Sequence, residues 1–111
     1  VRDPRERLLD VVHAIDEIER YAKGGRAAFD ADELVRTWIV HHLEIIGEAA
    51  RGIAPQTRAL APDVPWAAIV AMRNILVHGY FEIDADVVWQ VVTRDLPGLR
   101  RGVENLLRRL P

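Results

Sequence analysis

Along most of this chain the apolar residues return at intervals of three and four, and no two stretches alternate as a pair of strands would. That rhythm predicts helices that bury one face each. Asp3-Pro4 opens the first, with Asp as N-cap and Pro at the first helical position. Its stripe is Leu8, Val12, Ile15, Ile18 and Ala22, and "KGG", residues 23–25, ends it. A loop is expected from there to Asp30 or Asp32, either of which could cap the second helix, residues 32–53. On that helix Leu34, Trp38, Ile45, Ala49 and Ile53 mark one face, thickened by Val35, Ile39, Ile46 and Ala50. So wide an apolar arc implies a helix that is central or covered by a second subunit.

The Pro-rich connector, residues 54–65, has room for one short helical turn. A third helix follows Pro65 and carries Ala68, Ile69, Met72, Ile75 and Leu76, with Gly79 placed to end it. Asp84 or Asp86 caps the next, which runs through Val87, Val88, Val91 and Val92 to Asp95. "LPG", residues 96–98, must break or kink it. A last segment places Val103, Leu106, Leu107 and Leu110 on one side. "DADVVWQVV" is β-branched but has no partner strand. The expected fold is all-α: one domain, residues 1–111, an antiparallel bundle of four to five helices whose last helix is broken near Pro97.

The chain has 111 residues, half of them hydrophobic, and no cysteine. Disulfides, thiolate metal sites and cysteine nucleophiles are thereby excluded. No apolar run approaches the roughly 20 residues that span a bilayer, and no signal-peptide pattern opens the chain, so no membrane role and a cytoplasmic location are expected. Net charge is -2, and of 15 basic residues only Lys23 is lysine. This is not the field of a bulk nucleic-acid binder. Any phosphate chemistry would need a local arginine-lined cleft, where the planar guanidinium grips phosphate at two points.

The stretch that invites chemistry is "RNILVHGY", residues 73–80. On a helix Asn74 and His78 share a face, while Arg73 and His78 lie about 140° apart. One copy makes a loose site; two copies about a two-fold axis could interleave two Arg-His pairs around one cleft. A histidine titrating near neutrality can carry protons in phosphodiester chemistry, and Arg73 can neutralise the phosphate. Asn74 can orient a phosphate, a base edge or the histidine. By spacing alone the plainer alternative stands beside this: surface Arg73 and Asn74, His78 capping carbonyls, Tyr80 packed.

These residues resemble the Arg-(four residues)-His-x-Tyr motif of the HepT-like HEPN proteins, toxin halves of bacterial toxin-antitoxin pairs. The likeness extends in order along the chain, through "LLDVVHAIDEIERY", "IGEAAR", "VPWAAIVAMRN", "YFEIDADVVW" and "DLPGL". The resemblance implies a HEPN-type bundle that forms a homodimer with both motifs at a shared cleft. It implies a metal-independent endoribonuclease acting on tRNA or mRNA without a cofactor. Arg73 and His78 would be the catalytic pair and Asn74 the supporting polar residue. Tyr80 would be the site of AMPylation by a partner MNT-type nucleotidyltransferase, which neutralises the toxin. A non-catalytic module presenting nucleotide or substrate to that transferase is the alternative, and a purely structural dimerisation bundle a third.

Other residues carry less. His41 and His42 near Glu44 and Glu48 have a spacing that can place two metal ligands on one face, but no second cluster completes a site; an interface or solvated face is expected. Glu48 is a candidate to pair with Arg73 from behind. His13 with Glu17 reads as a solvated pair. Trp38, Trp66 and Trp89 read as core or dimer packing rather than base stacking. Arg100, Arg101, Arg108 and Arg109 could contact RNA or an acidic partner, or simply solvate the final helix.

Overall fold

The computed structural model describes residues 3–71 and 84–110, and among them all regular structure is helical. Helix α1, Pro4–Ala22, begins as expected: the Asp3 carboxylate accepts from the Arg5 amide at 2.9 Å and Pro4 occupies the first turn. It buries Leu8, Val11, Ala14, Ile15 and Ile18, a wider arc than the sequence stripe, because helices flank it on two sides. Gly25, at φ +82°, turns the chain in a left-handed conformation that side chains resist.

The expected loop after Gly25 is instead a second helix, α2, Gly25–Ala31. Its alanines favour helix, and its two turns have one side chain to bury, Phe29, whose ring lies 5.2 Å from that of Trp89. Arg26 bonds Asp30 at 2.9 Å and Asp86 at 2.6 Å, tying α2 to the later chain. These two partners raise the Arg26 pKa.

Asp32 caps α3, Glu33–Arg51, accepting from the Leu34 amide at 2.9 Å. α3 lies antiparallel to α1: Tyr21 meets Trp38 edge-on at one end, and Arg7 covers Gly52 at the other. Ile39, Leu43, Ile46 and Ala50 form its buried ridge, fully inside the core. The connector does hold one helical turn, α4, Pro55–Arg58. Arg58 reaches back to cap the end of α3, donating to the carbonyls of Ala50 at 2.7 Å and Ile53 at 3.0 Å. The chain is helical again over residues 66–71, here α5.

Beyond residues 72–83, Asp84 caps α6, Ala85–Gln90, with bonds to the amides of Asp86 and Val87. The interruption expected near Pro97 takes a particular form. Residues Val91–Asp95 wind as a π-helical turn, in which the Leu96 amide donates to the Val91 carbonyl, and α7, Leu96–Arg109, continues without a gap. Pro97 has no N–H, and in regular α geometry its ring would strike the Thr93 carbonyl; the wider turn just upstream relieves both problems while the helix goes on. α7 runs antiparallel to α1. Leu96, Leu99, Val103 and Leu106 are buried, Arg5 donates to the Leu110 carbonyl at 2.9 Å, and Arg100 bonds Asp16 at 2.5 Å.

Candidate functional site

The motif at residues 73–80, with Arg73, Asn74, His78 and Tyr80, lies outside the described residues. What the described residues fix is the frame that leads into it and out of it. On the entry side, the buried Trp66 donates its indole N–H to the carbonyls of Ala61 at 3.1 Å and Arg58 at 3.2 Å. That anchors the start of α5 to the connector, while Ile69 enters the core. On the exit side, Asp84 caps α6 and the Arg26–Asp86 pair fixes the first turn. The described residues on either side of the motif are thus held by buried or charge-assisted contacts.

Between α5 and the α6–α7 helix runs a cleft of about 530 Å³, lined by Leu43, Ile69, Val88, Val91 and Leu99 and, as its one charged group among the described residues, Asp95. An apolar wall with a carboxylate does not hold phosphate. Any phosphate contact in this region must come from cations elsewhere.

The other residues singled out in the sequence sort differently. Glu48 is exposed on α3; its expected partner, Arg73, lies outside the described residues. His42 is buried, with Nδ1 2.8 Å from the Trp38 carbonyl, which gives it a structural hydrogen bond. His41 is exposed beside it. Among the described residues no group of three or more His, Asp or Glu is arranged to hold a metal ion. Of the tryptophans, Trp66 is core and Trp89 packs on Phe29, but Trp38 is 40% exposed.

α3 therefore has a second face. Leu34, Trp38, His41, Ile45, Glu48 and Gly52 recur at four, three, four, three and four, the spacing of a coiled-coil seam. Leu34 is 79% exposed. The sequence stripe merged this seam with the buried ridge, because both are apolar and lie side by side on one helix.

The arginines also divide. Arg100 sits between Asp16, Glu19 and Glu104. Burial works against its charge, but the bonds to Asp16 and Glu104 and the charge of Glu19 outweigh it, and its pKa is raised. Arg109 donates to the Leu60 carbonyl at 2.6 Å. Both are structural. Arg101 and Arg108 are exposed, and so is Arg94, whose place before Pro97 gives no sequence signal that it joins their face.

Comparison with known proteins adds three findings. The family model described as Ribonuclease HepT-like matches residues 11–106, which includes the motif. A Methanocaldococcus jannaschii protein with a provisional RNase name is 36% identical over 104 residues, covering 93% of this chain and 95% of its own. A Thermococcus cleftensis protein, provisionally named ribonuclease HepT, is 33% identical over 108 residues, 95% of this chain and 96% of its own. No solved structure matches. No helix among the described residues is long and apolar enough to cross a membrane.

Proposed function

Because the chain belongs to the HepT-like ribonuclease family, we propose that it is a metal-independent endoribonuclease in which Arg73 and His78 act on RNA at a cleft shared by two copies. The observation that carries this is an intact Arg-x4-His-x-Tyr motif inside the matched span. In the reaction the RNA 2′-hydroxyl attacks its own phosphorus, giving up its proton to one His78 imidazole. The P–O5′ bond breaks, and the departing oxygen takes a proton from the other His78. The products are a 2′,3′-cyclic phosphate and a 5′-hydroxyl. Arg73 neutralises charge that builds on the phosphoryl oxygens, and Asn74 orients the group.

The homodimer in this reading forms through the outer seam of α3. Its period suits knobs-into-holes packing. In an antiparallel two-fold pairing centred on position 43, Leu34 of one copy falls opposite Gly52 of the other, where the Arg7 side chain fills the space beside the glycine. The RNA substrate is tRNA or mRNA in the cytoplasm. An MNT-type nucleotidyltransferase partner silences the toxin by AMPylation of Tyr80: the phenol oxygen bonds the α-phosphorus of ATP, and pyrophosphate leaves. The added negative charge and nucleoside compete with RNA for Arg73, by the logic of phosphorylation. Tyr80→Phe is expected to escape silencing when co-expressed with the transferase; silencing retained would overturn that part.

The test of the enzyme is cleavage of RNA by purified protein in excess chelator. His78→Ala should lose about 10²–10⁴-fold in rate and Arg73→Ala about 10²–10³-fold. Nucleotide binding with no cleavage by the parent would favour the non-catalytic module instead.

A further inference from the structure

Three arginines with no structural task stand in line on the outer face of the last helix. Arg94, Arg101 and Arg108 are all exposed, and none has a side-chain hydrogen bond or ion pair among the described residues. They are seven residues apart, so they share a face with one guanidinium about every 10 Å. Their isolation has a sequence cause. An acidic residue three or four positions away would pair with them. Arg94 has Gln90, Val91, Pro97 and Gly98 at those positions. Arg101 and Arg108 could both reach Glu104, but Glu104 is held by Arg100 at 3.3 Å, which also binds Asp16 and Glu19 on α1. The fold thus uses the available carboxylate for docking α7 on α1 and leaves the outer cations free. Asp95, next to Arg94, turns to the apolar cleft on another flank of the helix.

We propose that Arg94, Arg101 and Arg108 form a rail that binds the sugar-phosphate backbone of single-stranded RNA; this rests on the ribonuclease reading above. Three features favour a polyanionic strand over an acidic protein. The residues between the arginines are small or polar, Pro97, Gly98, Asn105 and Glu104, the last held by Arg100 at 3.3 Å, so a backbone can lie close and no apolar anchor among the described residues offers the centre of a protein interface. The chain as a whole is at -2, so attraction for RNA has to be local. The rail also lies on the helix that directly follows the motif segment, with Arg94 ten residues, about 15 Å, beyond Asp84.

The experiment measures binding of a single-stranded RNA long enough to span α7, across a salt series. It is done in the His78→Ala background so that the RNA is not cut. Replacing Arg94, Arg101 and Arg108 together by Gln should weaken binding by about tenfold or more at low salt and flatten the log-log salt slope by about 2, three phosphates at about 0.7 each. The three-Lys variant should keep the slope, since it keeps the charges. A control, Arg20→Gln with Lys23→Gln and Arg51→Gln, removes the same net charge elsewhere and should keep most of the affinity. An unchanged slope in the rail variant, or a loss no greater than the control's, overturns the rail. So does retained RNA binding with loss of binding to polyglutamate, which would mark a protein-docking face. If the parent cleaves no RNA at all, the ribonuclease reading fails separately from this result.

Discussion

At the scale of single residues, side chains that say little in the sequence hold the frame. Arg58 sits in a Pro-rich connector, with nothing in its neighbours to predict a role. In the fold it closes the end of α3, donating to three carbonyls, those of Ala50, Ile53 and Arg51. A cation at a helix C-terminus also meets the favourable end of the dipole. Arg58→Ala should therefore cost about 1–3 kcal/mol in denaturant melts. Arg58→Lys should recover only part of that, because an ammonium cannot fork between carbonyls. A loss within error of zero for Ala would remove Arg58 from the account. Arg100 works similarly between α1 and α7. Its pKa is raised, so its contribution is complete below the ordinary arginine value and fades only as pH climbs through the folded one, in strong alkali. The capping aspartates were the readable part of this scale: Asp3 caps as its position predicts, and of the two candidates open at each later start Asp32 and Asp84 are the ones that accept the amides. Long-range arginine contacts were not readable, since they depend on which helices end up adjacent.

At the scale of elements, periodicity identified α1, α3 and the final helix, because each has a long buried stripe. It missed α2, where one Phe29 carries the packing and no period can develop. It anticipated trouble at Pro97 but not the remedy, a π turn that keeps the helix whole. Two glycines of α7 give a paired prediction. Among the described residues a Cβ on Gly98 would meet only Arg101, at an ordinary 3.7 Å, whereas one on Gly102 would collide with the buried Val64. Gly98→Ala should stabilise by up to about 1 kcal/mol through helix propensity. Gly102→Ala should destabilise, since overpacking costs about 1–3 kcal/mol and exceeds the same gain. Thermal melts of the two variants would check this, and equal effects of one sign would refute the packing of α7 on the connector.

At the scale of the whole molecule, the sequence carried the family and the motif, while the surfaces had to come from the fold. Separating the outer seam of α3 from its buried ridge required seeing which neighbour covers which side. Trp38→Asp with Leu34→Arg should convert a dimer to a monomer in sedimentation while leaving the helical content unchanged, because both side chains are exposed. A dimer that survives would move the shared cleft elsewhere. The same scale holds the central claim, that histidines and arginines cut RNA through its own 2′-hydroxyl without metal. Mass spectrometry of the product ends, from RNA cut in excess chelator, tests it most directly. The expected ends are 2′,3′-cyclic phosphate and 5′-hydroxyl termini that vanish with His78→Ala; 5′-phosphate termini, or cleavage only after a divalent metal is restored, would overturn the mechanism.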